Sequence, residues 1–312
     1  MKGENSSERA IKMKFLTKII FIFALLLSFN AHAISILQGA DDSLYGKIYL
    51  TSFADYFPFG YKMIGEDSTD TVGSVFRDVL SELKPKETNL TFGYHYFNTT
   101  SEAAIDMKTG KTHVFLGAFY ATSLFDDFDF VFPSILNSPI HLMMLPDRIT
   151  EVKTIEDLKN LKGIYVQNEE FSSHLLNIFQ DIGLTPVQNT DEAYQKLLLG
   201  EVDFILGSFY YQYVKVLESG LKDYIAFSSR PLWNMPMFIA LSKRYENRKQ
   251  VHEFFRRIVS NDIFKEKVLA RIKQMIEEKE EEFAGAVPPM YIRQSGEDEL
   301  TPADEMQKEN KE

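Results

Sequence analysis

Three aromatic side chains follow the first apolar run of the mature sequence, where a loop would ordinarily become polar. The run IYLTSF leads into FADYFPFGYK, which places Tyr56, Phe57 and Phe59 around a proline. Ligands of open α/β sheets bind beyond the ends of strands, and aromatic rings hold ligands by stacking and by cation–π attraction. Two alternatives follow: the rings belong to the core, or they form a binding platform.

Catalytic and metal-binding motifs are absent from the sequence. It has no GxSxG, no phosphate-binding glycine loop and no HExxH, it contains no cysteine, and its six histidines are scattered singly. The acidic run DDFD, at 126–129, lacks the spaced ligands and the glycine of an EF-hand. We therefore expect a binding protein without a cofactor or a metal ion, and not an enzyme.

Composition limits the possible partners. The chain has 312 residues, of which 45% are hydrophobic and 25% are charged, as in ordinary globular proteins. Its net charge of -11 argues against a nucleic-acid groove, because neutralising phosphates requires clustered Lys and Arg. We therefore expect no nucleic-acid partner.

The first 33 residues have the pattern of a cleavable secretory signal peptide. Lysines precede the apolar run IIFIFALLLSF, and AHA at 31–33 supplies small residues at a cleavage site. The run is about half of the roughly 20 residues that a membrane-spanning helix needs, although a membrane anchor remains the alternative interpretation. Without cysteine the mature chain cannot be lipidated at that site, so we expect a periplasmic protein.

Short apolar runs and amphipathic stretches alternate from Lys47 onward. KIYLTSF, NLTFGYHYF and THVFLGAF predict strands, and VGSVFRDVLSEL and SEAAIDMKTGK predict helices. The pattern restarts after Pro133 with SPIHLMML, IYVQ and VDFILGSF as strands, and with two helices that end at Gly183 and Gly200. A last helical region is expected to break near Asn261, and dense charge predicts a disordered tail over 284–312. The alternation predicts an α/β fold with a parallel-rich sheet.

Six segments, taken in order, resemble the family 3 extracellular solute-binding proteins, the amino-acid-type periplasmic binding proteins. They are SFADYFPFGYK, TVGSVFRDVL, AAIDMKTGKTHVFLGAF, DFDFVFP, VKTIEDLKNLKGIYVQ and AYQKLLLGEVDFILGS. The resemblance implies a two-lobe periplasmic-binding-protein-like (type II) fold, with a central sheet in each lobe and a two-stranded hinge. Between the signal peptide (1–33) and the tail (284–312), it implies lobe 1 over 34–140 and 225–283, and lobe 2 over 141–224. A ligand would close the cleft between the lobes by a hinge motion.

The residues that hold an α-amino acid in that family are missing here. Leu124 falls at the position of the arginine that clamps the carboxylate, and Ser208 at that of the aspartate that pairs with the ammonium group. No Arg or Lys occurs from 113 to 145, so shifting the alignment does not restore the clamp. In NEEFSS, Glu169 and Glu170 fall at the helix start where the carboxylate would bind, in a field that favours anions.

The resemblance implies a site that is mainly aromatic, with Tyr56 packed over the ligand. Its predicted residues are Tyr56, Phe119, Tyr120, Glu170, Phe171, Ser208 and Trp233. Such a surface suits a neutral, aromatic or cationic solute rather than a conventionally bound α-amino acid. For Phe57 and Phe59 burial in the core is the favoured interpretation, and for Tyr120 and Trp233 packing within the lobes stays an open alternative.

These observations predict a monomeric periplasmic receptor that hands a small molecule to an inner-membrane ABC-type importer. The alternative is a repurposed module of the same fold that acts as a sensor or binds a partner protein without transport. A dehydratase-like enzyme is a minor alternative, which the missing carboxylate clamp disfavours.

Overall fold

The computed structural model describes residues 46–64, 70–83, 90–120, 127–148, 155–167, 169 and 171–289. The predicted signal peptide, Leu124, Glu170 and residues 290–312 of the predicted tail lie outside the described residues. Among those described, no helix combines the length and the apolar character needed to cross a bilayer. In the same part of the chain, no group of three or more acidic, histidine or cysteine side chains is arranged to hold a metal ion.

The described residues form eleven strands and seven α-helices. The strands are β1 (Gly46–Thr51), β2 (Tyr61–Ile64), β3 (Asp70–Gly73), β4 (Leu90–Tyr94), β5 (Val114–Phe119), β6 (Phe128–Met144), β7 (Gly163–Val166), β8 (Thr185–Val187), β9 (Phe204–Ser208), β10 (Ala226–Phe227) and β11 (Trp233–Ser242). The helices are α1 (Val75–Leu83), α2 (Thr100–Thr109), α3 (Ser173–Asp181), α4 (Thr190–Leu198), α5 (Phe209–Glu218), α6 (Arg248–Val259) and α7 (Asp262–Glu282). Two short 3₁₀ helices, Pro146–Arg148 and Ile155–Asn160, precede β7.

Two lobes share one nine-stranded sheet. Its order is β4-β1-β5-β11-β6-β9-β7-β8, with β10 paired to β6. Lobe 1 is built on β4, β1 and β5 with β11 and the first half of β6, and lobe 2 on the second half of β6 with β9, β7 and β8. The predicted two-lobe α/β organisation is confirmed. The long strands β6 and β11 pair with each other along the sheet and so connect its lobe 1 part to its lobe 2 part.

Strand β6 passes through the position where the sequence suggested a new block. It runs for 17 residues and includes Pro133. Val131 pairs with Ile239 and Leu136 with Met237, so the register shifts over the residues between them. Proline has no N–H for a ladder, and a bulge is where a strand tolerates one. The strand predicted after Pro133 is therefore continuous with the residues before it, because an irregularity in the pairing accommodates the proline.

Local signals at the helices behave as predicted. The apolar face of α1 is buried at Val75, Phe76, Val79 and Leu80. Gly183 (φ +77°) and Gly200 (φ +69°) adopt the left-handed conformation, which glycine enters without a Cβ penalty. The break near Asn261 is confirmed, and the side chain of Asn261 accepts the Ile263 N–H at 2.8 Å at the start of α7.

Helix α7 connects the two lobes. Arg271 pairs with Asp78 of α1 in lobe 1 at 3.4 Å. Further along, Glu280 accepts hydrogen bonds from Tyr213 of α5 in lobe 2 and from Lys222 (3.1 Å). Exposed ion pairs contribute little individually, so the main anchor of α7 is its buried face, formed by Phe264, Val268, Ile272 and Met275. Parting the lobes requires α7 to give up its contacts with one of them.

Candidate functional site

The turn after β1 holds Tyr56 at the contact between the lobes. The Tyr56 N–H donates to the Gly60 carbonyl (2.8 Å), and the Val75 N–H donates to the Pro58 carbonyl (3.0 Å), which fixes the turn to the start of α1. A Cβ at Gly60 would lie 2.1 Å from the carbonyl oxygen of Phe53. Glycine is therefore required at this close approach of two backbone segments.

The ring of Tyr56 packs between aromatic side chains of both lobes. It stacks on Tyr211 of α5, with ring centroids 5.6 Å apart and planes 28° apart. On the lobe 1 side it meets Phe53 edge-on at 5.1 Å and Phe119 edge-on at 6.0 Å. Tyr56 has no exposed surface, whereas Tyr211 is half-buried. Tyr56 is therefore buried, and its ring forms part of the contact between the lobes.

Three hydroxyl groups continue this contact into lobe 2. The Tyr56 Oη lies 3.3 Å from Ser138 Oγ, which lies 3.0 Å from Ser208 Oγ. Ser138 is on β6, and Ser208 ends β9 and begins α5. All three side chains are buried, so each hydroxyl needs such a partner to offset the loss of water.

Behind Ser208 lies the buried carboxyl group of Glu169. One carboxyl oxygen accepts the Ser208 N–H, and Oε2 accepts from Gln212 Nε2 at 2.6 Å. Tyr194 in turn donates to Gln212 Oε1 at 2.8 Å. Burial raises the pKa of Glu169 to about 8, although the bonds from Gln212 and Ser208 oppose this shift by favouring the charged form. Burial also raises the pKa of Tyr194.

The glutamate acts at a different helix from the one the sequence suggested. The sequence places Glu169 at the start of α3, but its carboxyl group accepts the N–H of Ser208, the N-cap residue of α5. The start of α3 is capped by Ser172, whose hydroxyl accepts the Leu175 N–H at 3.3 Å. Glu170 lies outside the described residues.

Two cavities lie near the stacked tyrosines: one is lined by Phe53 and Phe119, which contact Tyr56, and the other is lined by Tyr211. One, of about 100 Å³, is mostly apolar and is lined by Phe53 and Phe119 of lobe 1 and Phe171 of lobe 2, among others. The other, of about 390 Å³, lies between the turn, α5 and α7. Charges of both signs line it, namely those of Asp55, Glu218, Glu278, Lys62, Lys215, Arg271 and Lys279. Neither cavity separates the Tyr56 and Tyr211 rings, so a solute at the centre of the cleft has to displace one of them.

The structure brings together four of the predicted site residues. Tyr56 and Phe119 are in ring contact, Phe119 and Phe171 line the apolar cavity, and Ser208 reaches Tyr56 through Ser138. Phe59 is fully buried and Phe57 is half-buried.

Two other predicted residues lie away from this group. Tyr120 packs on Phe130 (5.1 Å), and these rings form a separate aromatic cluster with Phe132 and Phe238 on β6 and β11. Trp233 meets Phe179 edge-on at 6.5 Å, and Phe179 contacts Phe171 at 5.0 Å. Trp233 is thus one ring removed from the apolar cavity.

Sequence reasoning missed the lobe 2 side of the contact. Tyr211 and Gln212 lie in FYYQYV, a segment that the sequence indicated as helix packing, and Ser138 lies in a predicted strand. The three tyrosines of this segment are the sequence signal that could have indicated an aromatic surface on the helix. Which of them faces lobe 1 depends on where α5 begins, and that is fixed at Ser208 by Glu169.

No protein-family model and no curated protein sequence matches this chain. Solved structures do match its fold. An ancestral arginine-binding protein bound to arginine has a TM-score of 0.51 at 16% identity, over 72% of this chain and 97% of that one. The probable amino-acid ABC transporter extracellular-binding protein YtmK from Bacillus subtilis has a TM-score of 0.53 at 14% identity, over 72% and 97%. The BvgS VFT2 domain from Bordetella pertussis has a TM-score of 0.53 at 13% identity, over 73% and 92%.

At these identities the likeness concerns the fold and not the ligand. The matched structures are covered almost completely, so the similarity extends over both lobes. Together with the shared sheet and the aromatic contact between the lobes, this likeness identifies the chain as a protein with the two-lobe periplasmic-binding-protein fold.

Proposed function

We propose that this protein is an exported periplasmic receptor that captures a small planar solute between its lobes. The observation that carries the proposal is the stack of Tyr56 on Tyr211, because the two rings come from opposite lobes. A planar molecule can replace one ring of such a stack while keeping the buried apolar area and the favourable ring geometry. The free energy released then favours the closed arrangement of the lobes.

A conventionally bound α-amino acid does not fit this contact. The hydroxyl of Ser208 is in contact with Ser138, and its N–H is bound by Glu169, so neither group of Ser208 is free to bind a carboxylate. Glu169 adds an acidic group beside the position that a carboxylate would take. The proposed solute is handed to an ABC-type importer, and the proposal includes no catalysis, cofactor or nucleic-acid partner.

A ligand screen by thermal shift tests the proposal. The purified protein is heated with amino acids, polyamines, aromatic amines and acids, short peptides and sugars. A ligand at 100 times its dissociation constant stabilises the fold by about 2.7 kcal/mol. We expect a planar compound to raise the melting temperature, and Tyr211→Ala to abolish that shift.

The matched control is Tyr224→Ala, which removes a tyrosine that is 40% exposed and lies in the loop before β10. This variant should keep the ligand-induced shift. If no compound stabilises folded protein that carries no co-purified ligand, the receptor proposal fails.

One observation favours the alternative of a module that acts as a sensor or binds a partner protein. The centre of the cleft is filled by the protein's own rings, and α7 holds the two lobes together. A protein that no longer takes up a solute needs no space there. A flat ligand screen would support this alternative.

A further inference from the structure

Within the described part of the chain, the buried carboxyl group of Glu169 has no cationic partner. The residue is 6% exposed, and both of its hydrogen-bond donors, the Ser208 N–H and the Gln212 amide, are uncharged. Among the described residues, no Lys, Arg or His forms an ion pair or a hydrogen bond with it. A buried carboxyl group ordinarily has a positive partner or stays protonated.

The ionisable groups around Glu169 do not supply that positive charge. In the part of the chain that the structure describes, they are Tyr194 of α4, which binds Gln212, and Tyr211 of α5. Their own pKa values are raised, in both cases mainly by burial and further by the charge of Glu169. Both tyrosines are therefore neutral at physiological pH, so neither supplies a positive charge that could stabilise an ionised Glu169.

Glu169 lies directly behind the contact between the lobes. The Ser208 N–H binds its carboxyl group, and the hydroxyl of the same serine lies 3.0 Å from Ser138, which leads to Tyr56. Tyr211 projects from the first turn of α5, the helix that begins at Ser208. Ser208 therefore connects the Glu169 carboxyl group to the contact in which a solute would replace Tyr56.

We propose that Glu169 selects a solute that carries a cationic nitrogen next to its planar group. This inference rests on the proposed function, since it concerns the solute held against Tyr211. The nitrogen lies against the Glu169 carboxylate and the Ser208 hydroxyl, and its positive charge stabilises the ionised form of the carboxyl group. When such a solute binds to the protonated carboxyl group, the proton passes to the solvent, and the carboxylate and the cation form the ion pair.

Three indole compounds test this selection, because they share a ring and a short chain and differ in charge. They are tryptamine (cation), tryptophol (neutral) and indole-3-propionate (anion). We expect tryptamine to bind at least tenfold more tightly than tryptophol in isothermal titration calorimetry, and indole-3-propionate to bind most weakly. An alkylamine keeps its charge up to a pH of roughly 10, so tryptamine stays cationic over the range used.

Proton release gives a second measurement on the unmodified protein. With a pKa of about 8, Glu169 is about nine-tenths protonated at pH 7. Titrations in phosphate and in Tris, whose ionisation enthalpies differ, should show release of about 0.9 proton per tryptamine bound at pH 7. The dissociation constant should fall about tenfold from pH 6 to pH 7 and level off above pH 8.

Two variants test whether Glu169 causes the preference for tryptamine and the proton release. Glu169→Gln should bind tryptamine and tryptophol equally and release no proton, whereas Glu201→Gln, an exposed change in the same lobe, should behave as the wild type. If Glu169→Gln does not fold, the proton release and the pH dependence of the dissociation constant of the wild type still test the selection by Glu169.

The outcomes separate the two proposals. Equal binding of tryptophol and tryptamine by the wild type, or binding without proton release, overturns the selection by Glu169 and leaves the capture of a planar solute standing. If none of the three compounds binds to the folded protein, the selection proposal is overturned, and a flat ligand screen would then overturn the receptor proposal as well.

Discussion

The raised pKa of Glu169 predicts a specific dependence of stability on pH. In the unfolded chain this carboxyl group titrates near its ordinary value of 4.5, whereas burial raises its pKa to about 8 in the folded protein. The folded state therefore binds the proton more tightly. This contribution to the free energy of unfolding is present at acidic pH and is lost as the pH rises towards 8.

The magnitude follows from the two pKa values. One pKa unit corresponds to about 1.36 kcal/mol, so the contribution of Glu169 should fall by about 3.5 kcal/mol between pH 5 and pH 8. Glu169→Gln removes the titrating group and keeps the shape. The free energy of unfolding of the wild type should therefore fall by about 3.5 kcal/mol relative to the variant over this range.

Urea unfolding, followed by circular dichroism at several pH values, measures this difference. Other groups cancel in the comparison, including His95, His113 and His141, whose pKa values are lowered mainly by burial. The contributions of these histidines to the free energy of unfolding have the opposite pH dependence, because a lowered histidine pKa makes the protein more stable as pH rises through 6.5. Glu201→Gln serves as the control for removing one carboxylate. A difference between wild type and Glu169→Gln that is constant from pH 5 to pH 8 would refute the reasoning.

Two further predictions concern the turn and its glycine. Tyr56→Phe removes only the hydroxyl that lies 3.3 Å from Ser138. Urea unfolding should therefore show that the free energy of unfolding falls by about 1 kcal/mol. An unchanged free energy of unfolding would contradict a hydrogen bond between Tyr56 and Ser138. Gly60→Ala should cost about 3 kcal/mol or more or prevent folding, because its Cβ would lie 2.1 Å from Phe53 O. Gly183→Ala, at φ +77° with nothing within 4 Å, should cost only about 1 kcal/mol. Equal costs at the two glycines would show that the turn is not the close approach described.

The sequence by itself determined the elements and their order. Strand and helix alternation, the buried face of α1, the helix ends at Gly183 and Gly200 and the start of α7 at Asn261 all follow from residues within about one or two helical turns of each other. The two-lobe fold was implied by the resemblance of six ordered segments to the family 3 solute-binding proteins, and the solved structures with the same fold agree with it. Local periodicity, caps and turn residues carry this information because they act through neighbouring positions.

Only the tertiary structure decided how the lobes meet. The contact pairs Tyr56 with Ser138, 82 residues away, and Ser208 with Glu169, 39 residues away. Whether Glu169 caps α3 or α5, and whether Tyr211 stacks on Tyr56, depends on the paths of β6 and β9 through the shared sheet. Such contacts leave no periodic signal in the sequence, since packing between distant segments sets them, and so the chemistry of the cleft had to be found in the folded chain.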